Sequence, residues 1–199
     1  MKTIALAALI AGAGVCASAH ADFSGPTAPA NWSIVNSGTL IGASPVLGSA
    51  VFSPTQLVLS GSNTLADELG CSGGSYAVLG PCRTSATINL GGTFSFNWSY
   101  LTADGAGPAG DIFGVVVNGA FTPLSDPGGA VAQSGSASFA ASSSFGWFVN
   151  CTDCIGGAAT ATISSFAFAQ AVPEPETYAL MLSGIGALGL FARRKRRGA

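Results

Sequence analysis

Residues 93–100, TFSFNWSY, alternate between apolar and polar positions without a break. Phe94, Phe96, Trp98 and Tyr100 share one face; Ser95, Asn97 and Ser99 share the other. Successive strand side chains point to opposite faces, so this is the period of a half-buried β-strand. SFGWFVN repeats it with Phe145, Trp147 and Val149. DIFGVVV is a nearly continuous apolar run that ends in Asn118-Gly119, a dipeptide that predicts a tight hairpin into Ala120-Phe121. SGSASFAA and TATISSFAFA add further strands, and NWSIVN, PVLGSAVF, QLVLSG, SYAVLG and TSATINL are earlier candidates. Only NTLADELG reads as a turn or two of helix. About eight to ten short strands separated by Gly and Pro turns predict an all-β, β-sandwich or jelly-roll-like domain over residues 22–172.

Composition supports an ordered core. Trp32, Phe52, Phe113, Phe121, Phe139 and Phe166 join the aromatics already named and spread along the whole segment. A disordered chain lacks such side chains, because it cannot offset the entropy of ordering. A segment of this length suits one domain.

Charge then removes whole classes of function. Between residues 22 and 172 the acids are Asp22, Asp67, Glu68, Asp104, Asp111, Asp126 and Asp153, and the only base is Arg83. The segment has no Lys and no His. Ser-His-Asp and Cys-His catalysis need an imidazole, and zinc catalysis loses its commonest ligand. One Arg cannot displace the counterions of a nucleic acid, so no nucleic-acid partner is expected. Paired carboxylates are the remaining generic catalytic option. Asp104 and Asp111 bracket GAGPAG and are able to converge at a loop; the simpler expectation is that they are solvated loop acids. As hard oxygen donors, Asp104, Asp111 and Asp153 are candidate calcium ligands, although no EF-hand spacing exists. No other cofactor is expected.

Four cysteines lie in this segment: Cys71, Cys82, Cys151 and Cys154. An even count in an exported chain reads as two disulfides, and four cysteines allow three pairings. The local pairing, Cys71–Cys82 and Cys151–Cys154, is preferred. Cys-Thr-Asp-Cys also has the spacing of redox and metal motifs, but the redox reading wants a helix start that this strand-to-loop context does not offer.

The two ends carry different information. Residues 1–21 begin with Lys2, continue apolar from Ile4 to Val15, and close on Ala19-His20-Ala21. That is the layout of a secretory signal peptide, a signal helix cleaved after Ala21. At the far end come Pro173, Glu174 and Pro175, then a hydrophobic helix over 177–192, then Arg193, Arg194, Lys195, Arg196 and Arg197. The two prolines favour an extended, accessible strip. The apolar run is just long enough to be a single transmembrane helix, and the cations hold its end on the cytoplasmic side. Residues 173–199 resemble the PEP-CTERM sorting signals of Gram-negative surface proteins. The resemblance implies recognition of Pro173–Pro175 by an exosortase, a membrane transpeptidase, and only a transient membrane tether. It also implies release to the cell envelope, surface or matrix in a setting rich in exopolysaccharide, such as a biofilm. The stretch from Gly92 to Phe168 is similar to β-sandwich segments of other surface proteins with this tail.

The leading expectation is therefore an exported, non-enzymatic surface or matrix protein associated with exopolysaccharide. A second reading is a carbohydrate-binding module. Trp98 and Trp147 fall on apolar faces, which leaves Trp32, near the new amino terminus, as the candidate for stacking on a sugar ring. A third is a carboxylate-based glycan hydrolase built on Asp104 and Asp111.

Overall fold

The computed structural model describes residues 19–38, 46–63, 82–151, 154, 156–170 and 179–186. The chain divides into residues 18–170 and a unit made of the two terminal segments. The first unit holds the strands β1 (Ala19–Ala21), β2 (Ser33–Ser37), β3 (Ser49–Phe52), β4 (Gln56–Ser60), β5 (Cys82–Ile88) and β6 (Gly92–Leu101). They are followed by β7 (Asp111–Val117), β8 (Ala120–Pro123), β9 (Ala132–Ala141), β10 (Phe145–Cys151) and β11 (Thr160–Gln170). One sheet runs β3-β4-β11-β6-β9, with β1 also on β11; the other runs β2-β5-β10-β7-β8. Every pairing is antiparallel.

The alternation in β6 becomes the packing between the sheets. Phe94 and Phe96 turn inward and are buried, and Phe94 stacks on Phe145 of the opposite sheet at 4.2 Å between ring centroids. Leu57 and Leu59 of β4, Ile163 of β11 and Val115 of β7 fill the same core. β11 keeps its apolar residues inward through a bulge. Its register to β6 shifts between Ser164 and Ala167, with Ser165 at φ 49°, so Ile163 and Phe166 both face the core although they are three residues apart. An extra residue in the left-handed region is what such a bulge requires.

The Asn118-Gly119 hairpin forms as the sequence predicts, with φ of 51° and 82° and Val117 opposite Ala120. Positive φ at both central residues matches the twist of the two strands. The Asn118 carboxamide oxygen accepts from the N–H groups of Ser142 and Ser143, each at 3.0 Å, and so holds the β9–β10 turn as well.

β7 and β10 are buried on both faces, which explains the near-continuous apolar run of β7. On the outer side of their sheet, Phe148, Ile112 and Val116 form a second small cluster. Phe148 stands opposite Gly114, where a Cβ would come within 2.6 Å of its ring.

In the uncleaved chain, Ala19–Ala21, the end of the expected signal peptide, pair with Ala167–Ala169. The rest of that expected helix, residues 1–18, lies outside the described residues, as do the expected strand SYAVLG and the turn-or-two helix NTLADELG. Of the expected transmembrane helix over 177–192, residues 179–186 are helical and expose Leu180, Met181, Leu182 and Ile185. Among the described residues no helix is long and apolar enough to cross a membrane.

Candidate functional site

Three places in the sandwich carry the chemistry that the sequence singles out. The first is the turn between β6 and β7. Gly107, at φ 67°, and Pro108 start a single 3-10 turn, Gly107–Ala109, which folds the chain back. Asp104 and Asp111 are not the solvated loop acids that the sequence suggests: Asp104 is 6% exposed and Asp111 is 0% exposed. Thr102 lies between them. Its hydroxyl donates to Asp111 Oδ2 at 2.6 Å and accepts the Asp104 N–H at 3.0 Å. Asp104 Oδ1 accepts the Ala106 N–H at 2.6 Å, the Asx-turn in which an acid replaces a backbone carbonyl. Tyr100 seals the base, donating from its hydroxyl to the Asp111 carbonyl at 2.6 Å. Burial pushes the Tyr100 phenol well above its ordinary range; the Asp111 and Asp104 carboxylates add to this, and a Thr102 hydrogen bond opposes it. The turn thus brings the two carboxyl groups of the calcium and hydrolase readings to one place, but as staples of the backbone. Asp153, the third candidate calcium ligand, lies outside the described residues, and among the described residues no three acid, His or Cys side chains gather as a metal site.

The second place is the end of β10. Cys151 and Cys154 are joined in a disulfide, as the local pairing predicts, with Cα atoms 5.0 Å apart. Cys82 stands opposite Cys151 across β5 and β10 and is also disulfide-bonded. Cys71, its expected partner, lies outside the described residues. With three of the four cysteines oxidised, the thiolates that a zinc site needs are absent from this end of the sheet.

The third place is the outer face of the β4-β11-β6-β9 sheet, where the polar half of the alternation collects. Ser134, Ser136 and Ser138 of β9 stand opposite Ser99, Asn97 and Ser95 of β6. Ser99 and Asn97 in turn face Thr162 and Ser164 of β11. With Gln56 and Val58 of β4 and Leu101 of β6, the result among the described residues is a field of hydroxyls and two carboxamides, broken by two apolar side chains and without a charged group. Two open grooves run over it. One of about 550 Å3 is lined by Ser99, Leu101, Gln133, Ser134, Thr160 and Thr162. Another of about 380 Å3 is lined by Ser95, Asn97, Ser136, Ser138 and Ser165. Such a face is able to donate and accept hydrogen bonds at most of its positions, and offers no fixed charge to steer an ion.

The expectation of an exposed Trp32 is corrected. Trp32 is 7% exposed, stacks on Trp147 at 5.1 Å between centroids, and donates from Nε1 to the Thr27 carbonyl at 2.9 Å. The short 3-10 turns Gly25–Thr27 and Pro29–Asn31 lay it against the core. Trp147 is fully buried and Trp98 is half-buried against the core, as their strand pattern predicts. A residue whose role the sequence did not reveal is Arg83. Its guanidinium lies 3.7 Å from the centroid of the Phe121 ring and 5.3 Å from that of Phe148. Desolvation there lowers its pKa.

The sorting residues, Pro173, Glu174 and Pro175 with Arg193, Arg194, Lys195, Arg196 and Arg197, lie outside the described residues. Their identity comes from comparison with known proteins. Residues 171–197 match the family model of the PEP-CTERM protein-sorting motif. The chain is therefore one that carries the tag of an exported, exosortase-sorted protein. No curated protein matches the chain. Among solved structures, the chain named BiXyn10A CBM1, in its apo form, is 12% identical with a TM-score of 0.35, over 70% of this chain and 90% of its own. A CBM4 structure is 10% identical at 0.31, over 70% and 86%. The N-terminal cellulose-binding domain of Cellulomonas fimi β-1,4-glucanase C is 15% identical at 0.30, over 73% and 92%. TM-scores of this size do not establish a shared fold.

Proposed function

We propose that this protein is an exported, non-catalytic component of the cell surface or extracellular matrix, delivered by an exosortase-type transpeptidase and associated with exopolysaccharide. The observation that carries the reading is the sorting motif at 171–197. In this reading residues 1–21 are removed on export, residues 22–172 form the displayed domain, and residues 173–199 are the sorting signal. The helix over 177–192 with its basic end tethers the precursor in the inner membrane until Pro173–Pro175 is engaged. The non-catalytic assignment is supported by the burial of Asp104 and Asp111. A glycosidase needs two carboxyl groups open to a sugar bond, and these two are tied to the turn that holds them. The test replaces Pro173, Glu174 and Pro175 together by alanine in the producing cell. Mass spectrometry of the surface fraction should then lose the processed chain, while the intact precursor accumulates in the membrane. Unchanged processing overturns the reading.

A second reading, a carbohydrate-binding module, is favoured by one specific observation: the grooved hydroxyl face around Asn97, Ser99, Ser134 and Thr162. Binding there would rest on hydrogen bonds, since the three tryptophans are withdrawn into or against the core. Calorimetry against the producing organism's exopolysaccharide, with and without a calcium chelator, tests it. Saturable heat lost in an Asn97→Ala, Thr162→Ala variant supports the reading; equal heat in both proteins sinks it.

A further inference from the structure

A sheet edge presents a row of unpaired N–H and C=O groups, and most proteins blunt such edges. Here the edges differ sharply. β2, β3 and β8 are five, four and four residues long, and β8 ends in Pro123. β9 is ten residues long, AQSGSASFAA, and has neither a charge nor a proline. It pairs with β6 along its whole length, Gly92 opposite Ala141 through to Leu101 opposite Ala132, without a bulge to twist it away. Every second residue of β9 thus turns its backbone groups away from β6. Ser134, Gly135, Ser136 and Ser138 are exposed.

The outer-face side chains of β9 are also self-complementary. On the outer face they read Ala132, Ser134, Ser136, Ser138, Ala140, the same in both directions about Ser136. On the inner face the residues beside that centre are Gly135 and Ala137, small enough for two backbones to meet. A twofold antiparallel pairing places like on like: Ser136 against Ser136, Ser134 against Ser138, Ala132 against Ala140. It brings no charge against a charge, because β9 has none.

We propose that β9 is a self-pairing edge, at which two copies of the chain join antiparallel, β9 to β9, about a twofold axis through Ser136. This goes beyond sorting and does not depend on sugar binding. The joined sheets form one continuous β-surface, and the hydroxyl face of one copy runs on into that of the other. The partner is a second copy rather than a foreign peptide because the outer face of the edge is its own mirror in this register; on the inner face Gly135 meets Ala137 and Gln133 meets Phe139.

The test uses the full-length exported chain on intact cells. Opposed Cα atoms of an antiparallel pair lie about 4.5–5.5 Å apart, within the range of about 4.4–6.8 Å that a disulfide spans. Under mild oxidation, Ser136→Cys should give a covalent dimer at least about tenfold faster than Ser99→Cys, since the paired edges hold their thiols at a high effective concentration. Ser99 lies on the same face but on the interior strand β6. The register makes a sharper demand: cells holding differently tagged Ser134→Cys and Ser138→Cys chains should form the mixed dimer in preference to either like pair. In detergent solution the wild-type chain should sediment at twice the protomer mass, and Ser136→Lys, which sets two cations against each other, should halve it. Equal rates for Ser136→Cys and Ser99→Cys, like pairs at 134 matching the mixed pair, or a wild-type monomer would each overturn the proposal.

Discussion

Replacing Tyr100 by Phe removes one oxygen from a site that is 2% exposed and leaves the ring where it stacks on Phe113, 6.5 Å between centroids. Two opposed effects follow. The hydroxyl donates to the Asp111 carbonyl at 2.6 Å, so the variant loses this buried hydrogen bond. Such a loss costs about 1–3 kcal/mol near neutral pH. The phenol is also held protonated in the folded chain, by burial first and then by Asp111 and Asp104. In the unfolded chain it ionises at its ordinary value of about 10. The folded pKa is the higher one, so the stabilisation is whole below pH 10 and is lost as pH rises from there toward the folded value. Above about pH 10 the unfolded state binds fewer protons, and wild-type stability falls by up to about 1.4 kcal/mol per pH unit from this site. Tyr100→Phe has no such slope. The gap between the two proteins, about 2 kcal/mol at pH 8, should therefore close as the pH approaches about 11.5. Urea unfolding followed by tryptophan fluorescence at several pH values measures the gap, and tyrosinate absorbance checks that one tyrosine titrates late. A gap that stays constant from pH 8 to 11, or three tyrosines ionising together, would refute the argument.

Asn118→Ala should cost about 2 kcal/mol by thermal unfolding. It breaks the four side-chain bonds from Ser142, Ser143 and Ser144 and leaves a residue with a Cβ at positive φ without a polar side chain to compensate. Exchanging both Cys151 and Cys154 for Ser should lower stability by about 2 kcal/mol, the loop-closure entropy of so short a ring, measured by urea unfolding. Arg83→Ala should cost about 1–2 kcal/mol, and Arg83→Met less. The methionine keeps the packing over Phe121 and Phe148 while losing only the charge, and paired urea curves separate the two.

Some of this architecture is legible in the sequence because the two faces of a strand meet different surroundings. β6 and β10 announce themselves through Phe94-Phe96-Trp98-Tyr100 and Phe145-Trp147-Val149, and the β7–β8 hairpin through Asn118-Gly119. The sorting motif is legible for another reason: an enzyme reads it in extended form, so its meaning lies in local order along the chain. Trp32 was not legible. It stands at the start of the candidate strand NWSIVN, which does not tell which way its side chain turns, and its burial depends on Trp147 and Phe166, more than a hundred positions away. The place of Asp104 and Asp111 was half legible. Their spacing around GAGPAG placed both at one loop, but only the folded turn shows Thr102 between them and Tyr100 beneath. Arg83 could be counted as the lone base, yet nothing local told that its register on β5 carries it to a Phe on β8.

The distribution of charge ties these observations together. Among the described residues, three ionisable groups serve the structure of the sandwich: Asp104 and Asp111 staple a turn, and Arg83 covers two aromatic rings. What remains on the broad face of the β4-β11-β6-β9 sheet is mostly hydroxyl and amide, interrupted by Val58 and Leu101. A surface of that kind gains little from long-range steering and pays little repulsion when copies approach one another. It follows that salt should leave both contacts proposed for this sheet intact. Pairing through β9 and hydrogen bonding to a neutral glycan should both persist from low to high ionic strength, because screening acts only on charges. A dimer or a glycan complex that dissolves as salt is raised would have to be held by charged groups elsewhere in the chain, and the hydroxyl face would not be its seat.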